Sequence, residues 1–204
     1  GGVIVSSALV SLMACSSEEE GPVVQLGPSS IVGLSSAAGV EAFLGLPFAE
    51  PPLDDLRWEP PIPWVPSEQV VDATQFAPAC MQSGSGLAWY HGMMRRVGVD
   101  PSLMSGPEYS EDCLYLNVWT DLDDTEPKPV LVFIHGGSNT GGWSYEPNYR
   151  GGPLAQRGAV VVTVGYRLGV FGWLSHPDMS IQNAGLHDLI CKIAKVFRPA
   201  NGRF

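Results

Sequence analysis

The residues that carry chemistry in this 204-residue chain are His135-Gly136-Gly137-Ser138, which follow the apolar run VLVFI without a break. A buried strand that ends in consecutive glycines brings bare backbone N–H groups to the carboxyl edge of a sheet. In open α/β folds that edge is where ligands bind. Glycine suits the position because a side chain would keep a substrate carbonyl away from the amides. Donors so placed stabilise the oxyanion of an acyl-transfer intermediate. Taken alone, glycine after a strand is also an ordinary turn. One nucleophile pattern that would suit such a loop, a Ser in a G-x-S-x-G elbow, occurs nowhere in the chain. Gly142-Trp143-Ser144-Tyr145-Glu146 lacks the final Gly, and Gly84-Ser85-Gly86 lacks the spacing. His91, His176 and His187 read as loop or helix-surface histidines, and His135 as support for the glycine turn. There is no P-loop, no G-x-G-x-x-G after a strand and no H-E-x-x-H, so the expected cofactor and metal content is none.

The elements that position the loop follow from hydrophobic patterning. Residues 130–134 and 159–164 (AVVVTV) are nearly unbroken β-branched or apolar runs, the pattern of strands covered on both faces. They place the chain in the α/β class. Residues 23–34 and 40–48 lean towards β and suggest an N-terminal hairpin; 114–119 (LYLNVW) reads as a further strand. Residues 51–66 are Pro-rich and expected to be irregular. Residues 81–110, rich in Gly, Ser and Met, suggest a long surface loop. Residues 153–157 suggest a short helix. From Asn183 the pattern is helical, with Leu186, Leu189, Ile190, Ile193 and Val196 or Phe197 on one face.

Residues 3–14 (VIVSSALVSLMA) are too short to span a bilayer and match the apolar region of an export signal. Leu12-Met13-Ala14-Cys15 is similar to a bacterial lipobox, with a small residue before the cut and a nucleophilic sulfur after it; the other reading is a buried strand that ends in Cys. The expected layout is a signal peptide at 1–14, a tether at 15–22, a globular part at 23–190 and a discordant tail at 191–204. The expected location is the cell envelope, periplasmic or on the outer surface, or the exterior after secretion, with any membrane tie made by a lipid on Cys15 alone. With Cys15 set aside, Cys80 and Cys113 are able to close a loop in an oxidising compartment, which leaves Cys191 over.

Composition narrows the classes. The chain is 45% hydrophobic and 16% charged, which excludes wholesale disorder, and its net charge of −10 argues against a nucleic-acid partner. All 21 acidic residues precede residue 191, whereas Lys192, Lys195, Arg198 and Arg203 stand in a tail without acids.

Five motifs then occur in one order. Leu44-Gly45-Leu46-Pro47-Phe48-Ala49-Glu50-Pro51-Pro52 through Leu56-Arg57-Trp58 opens it. Ser110-Glu111-Asp112-Cys113-Leu114-Tyr115-Leu116-Asn117-Val118, His135-Gly136-Gly137, residues 159–174 and Asn183-Ala184-Gly185-Leu186-His187-Asp188 follow. Together they resemble the type-B carboxylesterase family, from about residue 40 to 188. The resemblance implies the N-terminal part of an α/β-hydrolase fold: a small hairpin plus the first strands of the main sheet. It implies serine acyl-enzyme hydrolysis of a small-molecule carboxylic ester. By the same mapping, the amides of Gly137 and Ser138 are the oxyanion donors and Gly136 shapes the turn. Cys80–Cys113 is the implied disulfide and Arg57–Glu111 the implied salt bridge. Trp89, in the loop that the disulfide closes, is the implied aromatic contact for substrate, with ordinary packing as the other reading.

The chain departs from the family at Ser138, where many members have a third glycine, at Gly165 in place of Asn and at Leu189 in place of Gln. It is expected to be the front part, less than half, of such an enzyme, with residues 191–204 foreign or frame-shifted. Two other functions stand beside this one. One is an esterase-like binding or adhesion module without a triad. The other is a small lipoprotein whose fold ends here, disfavoured because half a sheet would expose 159–164 as an apolar edge.

Overall fold

The computed structural model describes residues 21–36, 39–122 and 126–196. The export signal, Cys15, most of the tether and the last eight residues of the tail lie outside the described residues.

Among the described residues, ten strands and four α-helices follow in chain order. A hairpin opens the fold, β1 (Val23–Leu26) antiparallel to β2 (Ser29–Val32), with Gly27 at φ 58° in its turn. β3 (Leu34–Ser35) and β4 (Glu41–Pro47) enter the main sheet, whereas β5 (Val70–Asp72) pairs with β2. β6 (Ala79–Cys80), α1 (Ser85–Arg96) and β7 (Tyr109–Ser110) precede β8 (Tyr115–Thr120). β9 (Val130–Ile134), α2 (Gly152–Ala155) and β10 (Val160–Val164) form a parallel β–α–β unit. α3 (Gly169–Trp173) and α4 (Ala184–Val196) complete the described chain. The main sheet runs β3-β4-β8-β10-β9, with β8 antiparallel to both neighbours.

Asn117 pins the centre of this sheet. Its Oδ1 accepts from the Gly45 amide at 3.0 Å, and its Nδ2 donates to Ser144 and Thr163 hydroxyls at 3.1 and 3.0 Å. Gly45, at φ 66°, sits in the register shift of β4 against β8, where a bulge releases that amide from the ladder. Phe48, Leu114, Leu116, Val162, Val164 and Leu168 surround the disulfide half-cystines in the principal core. Full burial of each large apolar side chain stabilises the fold by about 1.5–3 kcal/mol.

Three expectations are corrected here. The 81–110 segment is not one long loop, because α1 occupies Ser85–Arg96. Its inward residues Leu87, Tyr90, His91 and Met94 stand at i, i+3, i+4 and i+7, a helical spacing hidden among glycine and serine. Among the described residues β9 is not covered on both faces: it lies at the sheet edge with Leu131, Phe133 and Ile134 exposed, and β10 is the interior strand. The apolar edge is therefore 130–134, not 159–164. The apolar stripe of α4 is only in part its buried side, since Leu189 alone of its described side chains packs against the principal core. Leu186 and Ile190 are exposed, whereas Ala184 and Asp188 face inward. The helix is oriented by an ion pair: the buried Asp188 accepts from Arg167 Nη2 at 2.7 Å and from the Arg167 backbone amide at 3.0 Å. The helix is continuous across residue 191 to Val196.

Candidate active-site loop

Parallel pairing of β9 and β10 brings their carboxyl ends together, and the glycine loop starts there. His135 is buried; it stacks on Tyr166 from the end of β10 at 4.6 Å. The Tyr166 hydroxyl donates to the His135 carbonyl at 2.9 Å. His135 Nδ1 lies 2.8 Å from the Gly136 carbonyl, which only accepts, so Nδ1 carries the proton. Burial pushes His135 below the ordinary imidazole value, against the smaller opposing effects of that hydrogen bond and the Glu146 charge. The imidazole is thus a neutral prop for the turn.

Beyond His135 the loop closes on itself. The Gly137 carbonyl accepts from the Thr140 amide at 3.0 Å and the Gly141 amide at 3.2 Å. Gly137 stands at φ 114°, and a Cβ there would overlap the Gly141 carbonyl oxygen. A Cβ on Gly136 would meet nothing within 4 Å. Gly137 is therefore the glycine that the turn demands, whereas Gly136 faces open space. Ser138 and Asn139 are left-handed, at φ 55° and 61°. For a non-glycine residue that conformation costs on the order of 1–2 kcal/mol, a cost that a glycine at position 138 would avoid.

The loop is tied at its ends and open in the middle. The Asn139 carbonyl accepts from Gly169 N at the start of α3, at 2.7 Å, and Gly142 is held by Gln82. Residues 136–138 are exposed, and among the described residues their amides make no hydrogen bond. Unspent donors on a braced backbone are the requirement for binding a developing oxyanion. Among the described residues, no three His, Cys, Asp or Glu side chains converge as for a metal ion.

The neighbouring sequence candidates are placed as follows. Cys80 and Cys113 are joined in a disulfide with Cα atoms 4.9 Å apart. Arg57 and Glu111 form a two-pronged ion pair, Nη2 to Oε1 at 2.7 Å, beside that disulfide. Trp89 is 59% exposed on α1 and meets Tyr90 edge-on at 5.0 Å, so it is not a core residue. Gly165 packs against the Cys113 carbonyl, 2.9 Å from the position of a Cβ, a fit that leaves little room for a larger residue.

The supporting roles of four residues are not legible in the sequence alone: Gln82, Tyr90, Glu146 and Tyr166. Glu146 is buried; its Oε1 accepts from Trp143 N at 3.1 Å and its Oε2 from the Tyr90 hydroxyl at 2.7 Å. Burial, then this carboxylate, pushes the Tyr90 phenol upward. Only the Tyr-Arg motif at 166–167 left a trace in sequence, as part of a family pattern.

Comparison with known proteins agrees with this geometry. Residues 21–194 match the Carboxylesterase family. The chain is 40% identical over 164 residues to fumonisin B1 esterase of Sphingopyxis macrogoltabida, covering 74% of this chain and 27% of that protein. It is 41% identical over 179 residues to acetylcholinesterase of Gallus gallus, covering 82% of this chain and 22% of the relative. A solved thermophilic pNB esterase superposes with TM-score 0.72 at 33% identity, over 84% of this chain and 34% of that one. The chain belongs to the carboxylesterase family, and its fold is the N-terminal part of an α/β hydrolase. It spans about a third or less of the length of these relatives.

Proposed function

We propose that this chain contributes the oxyanion-hole loop of a serine carboxylesterase acting on a small-molecule carboxylic ester. The observation that carries the reading is the set of unpaired, exposed amides at 136–138, braced on both sides at the carboxyl end of β9. Gly137 and Ser138 are the assigned donors, and Gly136 is the open approach. Trp89, exposed beyond the disulfide, is assigned to the substrate side. The nucleophile, its His and its acid are contributed from outside this sequence, which holds no G-x-S-x-G. A binding module without chemistry has no need of free amides at this edge, and the relatives named above are esterases or a cholinesterase.

The test joins residues 21–189 to the remaining two-thirds of the pNB esterase. The chimera is expected to hydrolyse p-nitrophenyl esters, to be silenced by a serine-directed organophosphate, and to lose about 10²–10³ in kcat when Gly136→Val blocks the amides. Hydrolysis indifferent to Gly136→Val refutes the assignment. The 204-residue chain alone is expected to be inactive, and organophosphate-sensitive turnover by it equally refutes the reading.

Export and lipid attachment at Cys15 complete the proposal. A disulfide is the expected product of an oxidising compartment. Incorporation of labelled fatty acid that Cys15→Ser abolishes is the expected result; unlabelled, soluble protein rules the anchor out.

A further inference from the structure

Gln82 makes three hydrogen bonds that the proposed chemistry does not use. Its Nε2 donates to the Gly142 carbonyl at 2.8 Å and to the Cys80 carbonyl at 3.0 Å, and its Oε1 accepts from the Gly142 amide at 2.8 Å. Both backbone groups of Gly142 are thus satisfied by one carboxamide from 60 positions earlier in the chain. We propose that Gln82 is the positioning residue of the oxyanion loop, clamping its stem to the Cys80–Cys113 disulfide. The inference rests on the assignment of residues 136–138 as that loop.

The argument is one of packing. Gly142 stands at φ 106°, and a Cβ there would lie 2.6 Å from both the Gly136 carbonyl oxygen and His135 Nδ1. The stem therefore passes close beside the start of the loop, so the position of Gly142 bears on that of Gly136. Gln82 fixes that position because it follows Cys80 by two residues, and Cys80 is covalently held to Cys113 at the foot of β8. From the same segment, Tyr90 holds Glu146, whose other oxygen accepts from the Trp143 amide next to Gly142. The chemistry of the clamp is specific: the side chain must donate to one carbonyl and accept from one amide. Leucine satisfies neither group. An ionised Glu accepts from the amide but sets a carboxylate against the Gly142 carbonyl, and a protonated Glu does both again.

The test is amide hydrogen exchange on the 204-residue chain, which needs no substrate, so absence of esterase activity leaves it readable. Q82L is expected to speed exchange at Gly142 about tenfold, the loss of about one hydrogen bond's net contribution. Thr140 and Gly141 are expected to follow, with β10 amides unchanged. Q82E is expected to match Q82L at pH 7. Its ratio to the wild type, measured at the same pH, then falls back towards one at about pH 3.3, a unit below the ordinary Glu value of about 4.3, where the carboxyl is mostly protonated. Gly142 exchange within twofold of wild type in Q82L, or an identical Q82E ratio at both pH values, overturns the proposal. If Q82L unfolds the chain, Q82E decides: unfolded at neutral pH and folded in acid supports the clamp, and unfolded at both overturns it.

Discussion

The two glycines of the loop do different work. At φ 114°, with the Gly141 carbonyl where a Cβ would stand, Gly137 tolerates no side chain, and Gly137→Ala is expected to destabilise the chain by on the order of 1–3 kcal/mol. Gly136→Ala meets open space and is expected to leave the urea midpoint within error. Equal midpoint shifts in the two variants would contradict this division. His135 adds a pH dependence whose sign follows from its lowered value. Above the unfolded value of 6.5 neither state is protonated, and the stability is fully present. As pH falls below it, the unfolded chain takes up a proton that the folded one resists, so stability is lost on acidification. Denaturation at pH 7.5 and at about pH 5.5 is expected to show this loss in wild type. His135→Gln is expected to flatten the difference. At this scale the sequence exposed the glycines because they abut an apolar strand. It did not expose Gln82 or Glu146, whose partners lie 60 and 56 residues away.

Among the elements, α4 is governed by polarity more than by its apolar stripe. Arg167 and Asp188 are 3% and 0% exposed in their side chains, so removal of one partner strands the other in a low-dielectric interior. Asp188→Asn is expected to cost about 3–5 kcal/mol, and pairing it with Arg167→Met to recover most of that, read as denaturant midpoints. An additive double variant would show that the pair is not coupled. The periodicity placed the α4 helix and put Leu189 on its packed side, but it also put the exposed Leu186 and Ile190 there, since apolar spacing registers amphipathicity and not a buried charge. β9 shows the converse. Its five apolar residues read as a two-sided interior strand, yet β10 takes the interior and Leu131 remains 45% exposed. Leu131→Lys is therefore expected to slow aggregation on warming, followed by light scattering, without lowering the unfolding midpoint. A large destabilisation would mean that this face is covered in solution.

Across the whole molecule, the Cys80–Cys113 disulfide ties α1 and its flanks to β8 and closes a separation of 33 residues. Cys80→Ala/Cys113→Ala is expected to lose about 2–5 kcal/mol, and through Gln82 to loosen the loop beyond Gly137 as well. Calorimetry reads the first effect; equal Gly142 exchange with and without the bridge would deny the second. The α/β class, the strands at 114–119, 130–134 and 159–164, the glycine turn and the family order of five motifs were legible in the residues themselves, because each is written in contiguous spacing or local backbone demand. The division of labour between Gly136 and Gly137 was decided only in three dimensions. So were the edge position of β9, the inward face of α4 and the brace that Gln82, Tyr166 and Gly169 place around three free amides. Those depend on which atoms meet across tens of residues, and one-dimensional spacing carries no record of such contacts.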